Sequence, residues 1–257
     1  MYAEEIPMYA KIFTAQLSGM IHWRPECRVD VQVWTTSTDA LTHGVCRSFS
    51  SLFAESAPNV SISVGHLDKL SLFRRAIGRN RSAMMCTSDV MWFADADYIP
   101  GEGCLDSIAN IDFESLKPKE IAIPFSYMLQ NSHADGDAEI ARITPGELFV
   151  PNLKPYYVKN LTLAIGGLQI VPRETALRGY LNKTSWTRPR MEEIAFPDTH
   201  DDIRYRKSLS GGARVPISNL YRIRHSECSY ESVDQRSVRL GRKQMDRRAS
   251  RKTDGSE

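Results

Sequence analysis

Along the first third of the chain, apolar residues switch repeatedly between helical and strand spacing. Ile12, Phe13, Leu17, Met20 and Ile21 share one helical face between Tyr9 and Ile21, and Trp23-Arg24-Pro25 supplies a stop, so the spacing predicts an amphipathic helix. From Arg28 to Trp34, Val29, Val31 and Val33 alternate with polar residues, which predicts a half-buried strand. The turn-like run that closes at Asp39 ends it. A helix is predicted over Leu41 to Ala54, a strand over Val60 to Val64 and a long Arg-rich helix over Leu70 to Cys86. Val90 to Ala94 is apolar throughout, the pattern of a strand buried on both faces.

The second half reads less regularly. Ile121 to Phe125 has strand character, and the polar stretch Asn131 to Glu139 reads as a loop. Leu161 to Ile170 is apolar but interrupted by Gly166-Gly167. Helices are predicted from Pro172 to Leu181 and from Asp201 to Ser210, the latter stopped by Gly211-Gly212. A last strand runs from Val215 to Ile223 with a turn near Pro216 to Asn219. This alternation predicts an α/β fold built on an open, mostly parallel sheet flanked by helices. Such sheets bind ligands at the carboxyl ends of their strands.

Composition narrows the class. The chain has 257 residues, 42% hydrophobic and 25% charged, which excludes a disordered or fibrous protein and suits a single large domain. No run reaches the roughly 18 to 20 apolar residues of a membrane helix, and MYAEEIPMYAK lacks the basic and apolar regions of an export signal. The expectation is a soluble, cytoplasmic protein. Five scattered cysteines, none in C-x-x-C spacing, fit reduced thiols rather than a zinc ribbon or a disulfide framework. The net charge of +2 hides eight basic residues against one acidic residue between Arg236 and Lys252. Residues 1–228 are therefore read as one domain and 229–257 as a flexible or weakly helical basic tail. A solvated tail accounts for that run; the sharper reading is an anchor for a phosphate-rich partner such as nucleic acid.

Four local patterns carry chemistry. VMWFADADYIPGEG delivers Asp95 and Asp97 to the carboxyl end of a strand, where two carboxylates can share Mg²⁺ or Mn²⁺; as a bland alternative they cap the next helix. Asp135-Gly136-Asp137 has the same spacing with no strand before it, and reads as a solvated loop. Gly166 and Gly167 allow a close backbone approach to a ligand, or simply form a bulge. Asp201 and Asp202 open a predicted helix, either with one spent as the cap or with the helix dipole favouring an ionised general base. His225 ends the last predicted strand, either as a structural residue or as a ligand.

Taken in order, Asp39, Gly78-Arg79-Asn80, Asp95-Ala96-Asp97, Gly166-Gly167 with Arg173, Asp201-Asp202 with Arg206, and His225 resemble the motif series of family 2 glycosyltransferases with the GT-A fold. The resemblance spans about residues 9 to 226. It implies a metal-dependent transfer of sugar from a nucleotide-sugar donor, a UDP-sugar, to a hydroxyl acceptor with inversion. It further implies Asp97 and His225 as metal ligands, Asp95 on the ribose or the metal, and Arg79 on the donor phosphates. Gly166 and Gly167 would line the donor and acceptor site, Asp39 would help hold the base of the donor nucleotide, and Asp202 or its neighbour Asp201 would be the catalytic base. With the basic tail, the acceptor would be anionic, modified nucleic acid included.

Two features depart from that series. Residues 1–8 are too short and polar for the apolar strand with which the family begins, and Asp-Asp stands where Glu-Asp is usual. A haloacid-dehalogenase-like phosphotransferase would instead use Asp95 as nucleophile, Asp97 as acid/base and Asp201-Asp202 as a Mg²⁺ pair. Tyr98-Ile99 stands where such enzymes carry Thr or Val, which weighs against it. A non-catalytic nucleic-acid-binding protein would need only the tail, and leaves the acidic strand exit unexplained.

Overall fold

The computed structural model describes residues 7–72, 75–116, 120–162, 167–176 and 210–226. Among the described residues the elements follow in the order α1 (Pro7–His22), β1 (Val29–Thr35), α2 (Ala40–Ser56), β2 (Val60–His66), α3 (Lys69–Leu72), α4 (Arg75–Met85), β3 (Val90–Ala94), β4 (Tyr98–Pro100), α5 (Cys104–Ala109), β5 (Glu120–Pro124), β6 (Ser126–Gln130), α6 (His133–Ala141), β7 (Tyr156–Asn160), β8 (Leu168–Pro172), β9 (Ser210–Val215) and β10 (Leu220–Arg222). The class is mixed α/β. Among the described residues the strands form a parallel pair β1-β2 and two four-stranded sheets, ordered β4-β10-β6-β7 and β3-β8-β5-β9.

The expectation of a mostly parallel sheet is corrected. β1-β2, β6-β10 and β5-β9 are parallel, whereas β4-β10, β3-β8, β5-β8 and β6-β7 are antiparallel. Apolar spacing tells that a strand exists but carries no information on the direction of its neighbours. β3 also departs from expectation: Met91 and Phe93 are buried, Val90 and Trp92 are only partly so, and Ala94 is exposed. An all-apolar run cannot distinguish a doubly covered strand from one whose outer face carries a half-buried tryptophan.

α1 is buried all round from Ile12 to Ile21, so its polar residues must find partners inside the protein. They bind backbone groups of distant segments. Thr14 Oγ1 accepts from Gly146 N at 3.0 Å, Ser18 Oγ from Phe149 N at 3.0 Å, and Gln16 Nε2 donates to the Asp95 carbonyl at 3.2 Å. The apolar side chains of α1, among them Phe13 and Leu17, join Phe49 and Phe53 of α2 and Tyr98, Ile121 and Ile170 of the sheets in one continuous core.

Two further expectations change. Residues 131–139 are not a loop, because Ser132 caps α6 by accepting from Asp135 N at 3.0 Å and the helix buries Gly136, Glu139 and Ile140. With so few apolar positions, its helical period is invisible in the sequence. Gly211-Gly212 lies inside β9 rather than stopping a helix. Between Glu120 and Ala122 of β5, β9 advances from Ser210 to Ala213, and this one-residue bulge suits the glycine pair. The interruption between β9 and β10 falls where the sequence placed its turn. Residues 173–176 are helical; the rest of the helix predicted to Leu181, the 201–209 segment and the 229–257 tail lie outside the described residues.

Candidate functional site

The site is built where β3 ends and the chain turns into β4. Asp95, Ala96 and Asp97 form that turn, closed by Tyr98 N donating to the Asp95 carbonyl at 3.4 Å. Two remote segments hold it: Gln16 on the Asp95 carbonyl, and Ile223 N on the Asp97 carbonyl at 2.9 Å. β10 therefore runs past the turn, with Arg222 opposite Tyr98 in the antiparallel register.

The two carboxylates differ sharply. Asp95 has a one-third exposed side chain and lies 3.5 Å from Arg79 Nη2, and the Arg79 guanidinium sits 5.5 Å from the Phe93 ring centroid. Asp97 is 7% exposed, and its Oδ2 accepts from Arg222 Nε at 2.8 Å, while its Oδ1 is buried with no hydrogen-bond partner. Burial pushes the Asp97 pKa up, with the Asp95 charge acting in the same direction, and Arg222 and His225 oppose it. Arg222 keeps its proton more firmly than usual: burial opposes the charge, but Asp97 outweighs it. Its guanidinium also sits 5.2 Å from the Tyr98 ring centroid. Tyr98 is fully buried, its hydroxyl too lacks a partner, and its ring is held edge-on by Trp92 and Tyr127.

Gly167 closes the site from the neighbouring strand. A Cβ there would fall 2.7 Å from Asp95 Oδ2 and 2.7 Å from Tyr98 Cε2, too close for either. Trp92 Nε1 donates to the Gly167 carbonyl at 3.1 Å, fixing the approach. Only a residue without a side chain lets β8 meet the carboxylate turn.

The structure thus brings Asp95, Asp97, Arg79 and Gly167 together and leaves other expected residues elsewhere or unseen. His225 follows β10, close enough for its charge to act on Asp97 and also on Asp137. Asp39 is fully buried as the N-cap of α2, where Oδ1 accepts from Thr42 N at 3.1 Å and Oδ2 from Thr35 Oγ1 at 2.7 Å and Thr42 Oγ1 at 2.6 Å. Gly166, Asp201 and Asp202 lie outside the described residues. Asp135-Gly136-Asp137, read as a solvated loop, is instead the first part of α6 and grips the segment after β10. Asp137 accepts from Ser226 N at 2.9 Å and from its hydroxyl, and a Cβ on Gly136 would collide with the Arg224 carbonyl.

Sequence reading did not single out Arg222, Gln16 or Tyr98 as parts of the site. LYRIRHSE offers Arg222, Arg224 and His225, and nothing local says which one faces a carboxylate. Among the described residues no three His, Cys, Asp or Glu side chains are grouped to hold a metal. Two carboxylates are nevertheless a sufficient protein contribution for Mg²⁺ or Mn²⁺ when substrate phosphates and water complete the shell. The donor set is hard oxygen, and the orphaned Asp97 Oδ1 is a buried acceptor with an unmet demand. The residues therefore fit such an ion. Comparison with protein-family models and with curated proteins returns no match to this chain.

Proposed function

We propose that the chain is a GT-A-type glycosyltransferase that moves a sugar from a nucleoside-diphosphate donor, a UDP-sugar, to a hydroxyl acceptor with inversion. The observation that carries this reading is the carboxylate turn at the exit of β3, in which the buried Asp97 gives one oxygen to Arg222 and retains the other unpartnered, while Arg79 lies beside the neighbouring Asp95. Asp95 and Asp97 would hold Mg²⁺ or Mn²⁺; His225 acts on Asp97 through its charge and is not grouped with the two carboxylates as a third ligand. Bound there, the ion supplies Lewis-acid stabilisation of the charge that builds on the departing diphosphate. Arg79 lies beside Asp95 and contributes fixed positive charge to the same oxygens. Gly167 lets the chain entering β8 meet the carboxylate turn closely, and Gly166 and Gly167 would line the donor and acceptor site. Asp202, or Asp201, takes the proton from the acceptor hydroxyl. Asp39 supports the loop after β1 as a helix cap rather than meeting the donor.

The basic run from Arg236 to Lys252 would recruit an anionic acceptor, modified nucleic acid included, and steep salt dependence of acceptor binding is what that requires. Among the described residues no helix is long and apolar enough to cross a membrane.

Thermal-shift screening of nucleotides and nucleotide sugars, with and without Mn²⁺, tests the proposal. A ligand at about one hundred times its Kd adds ~2.7 kcal/mol, which for a chain of this size raises Tm by about 5–10 °C. A rise confined to one nucleoside family, enhanced by Mn²⁺ and lost in Asp97→Asn, is the expected result. No rise with any nucleoside diphosphate, at any Mn²⁺ concentration, refutes it.

A further inference from the structure

Arg222 meets Asp97 in an incomplete way. An arginine can bind a carboxylate through two parallel N–H donors and satisfy both oxygens, yet here Nε alone reaches Oδ2 and Oδ1 is left without a partner in a buried place. The side chain of Asp97 is 9% exposed and that of Arg222 33%, so the arginine keeps contact with water where the carboxylate has almost none, and Tyr127 also engages the guanidinium. Its position is otherwise well supported, because β10 is paired on both sides, with β4 and β6, and its cation lies over the buried Tyr98 ring. The resulting pair is anchored at its backbone and under-bonded on the carboxylate side, where Asp97 Oδ1 has no partner. Arg79 and Arg222 balance Asp95 and Asp97 charge for charge.

An incoming divalent cation and nucleoside diphosphate upset that balance. The cation needs the Asp97 oxygens that Arg222 now uses, and the diphosphate carries more negative charge than one divalent cation cancels. We propose that Arg222 is the resident counter-ion of the site: the cation takes over Asp97, and the released guanidinium closes on the diphosphate oxygens of the donor. The proposal rests on the transferase reading and adds to it a phosphate-binding residue drawn from β10. It places Arg222 in direct competition with the metal before donor binding and in cooperation with it afterwards. No purely structural arginine behaves in both ways.

The experiment is a pair of titrations on the full chain, wild type against Arg222→Met, with Mn²⁺ followed by electron paramagnetic resonance and UDP by calorimetry. With the competitor removed, the variant should bind Mn²⁺ alone about tenfold more tightly. At saturating Mn²⁺ it should bind UDP about tenfold less tightly, the loss of one charge-assisted contact. Should Arg222→Met fail to fold, Arg222→Lys, which keeps a charge but not the planar fork, should bind Mn²⁺ alone more tightly than wild type and UDP with Mn²⁺ more weakly. In the wild-type protein, the Arg222 Nε–H resonance should shift on adding Mg²⁺ and UDP together. Equal Mn²⁺ affinity with and without Arg222, UDP binding indifferent to the substitution, or a stationary Nε–H resonance overturns the exchange while leaving the transferase reading in place. Mn²⁺ binding with no UDP binding in the wild type overturns both.

Discussion

Replacing Arg222 by methionine in the absence of any ligand isolates the energetics of the Asp97 ion pair. Methionine keeps an apolar stem against Tyr98 but removes the cation, leaving a carboxylate that is 7% exposed without its principal counter-charge. Breaking a fully buried pair from one side costs about 3–5 kcal/mol. Water reaches a third of the Arg222 side chain, so screening lowers the expectation to about 2–3 kcal/mol at neutral pH, or a fall in Tm of about 5–10 °C. The loss should depend on pH with a definite sign. Burial already raises the Asp97 pKa in the folded protein, with Asp95 pushing the same way and Arg222 and His225 opposing. A carboxyl with a raised pKa holds its proton in the folded state where the unfolded chain has released it. Stability therefore falls as pH rises from the ordinary aspartate value to the folded value. Removing Arg222 moves the upper end of that window higher, so the deficit relative to wild type widens with rising pH and closes on acidification, when Asp97 becomes neutral in the variant. Thermal unfolding followed by circular dichroism between about pH 4.5 and pH 8, at fixed ionic strength, reads this directly. A deficit constant across the range, or one below about 0.5 kcal/mol at neutral pH, would show that the pair behaves as a screened surface contact and would refute the argument.

Two other substitutions test the surrounding scaffold. Gly167→Ala drives a methyl group against Asp95 and the immobile Tyr98 ring, and should cost about 1–3 kcal/mol, read as a lower urea midpoint with an unchanged slope; an unaltered midpoint would mean that β8 does not approach the turn so closely. Asp39→Ala removes three hydrogen bonds at the start of α2 and should destabilise by about 2 kcal/mol while leaving any nucleotide-induced rise in Tm intact; loss of that rise would instead give Asp39 a part in donor binding.

The local parts of this protein are legible in its sequence. Helix α1, strand β1, helix α2 and strand β2 follow from apolar spacing and stop signals, because each depends on interactions within a few residues. The acidic turn is legible for the same reason: an apolar strand followed by Asp95 and Asp97 is a contiguous pattern, and so is a glycine beside it in type if not in place. α6 escaped because its helix rests on a Ser132 cap and a few buried positions rather than on an apolar stripe. Sheet direction was misjudged because hydrogen-bond partners are chosen by packing between distant segments.

What only the tertiary structure decided is the electrostatic state of the site. Arg222 is 125 residues from Asp97 in the chain, and Gln16 is 79 residues from Asp95. No spacing rule links them, since the pairing of β10 with β4 is what sets Arg222 opposite Tyr98. Whether a carboxylate is exposed or buried is a property of its surroundings. The sequence alone determined that two aspartates would stand at a strand exit; folding determined which of them is buried, which arginine answers it and which oxygen is left unpaired.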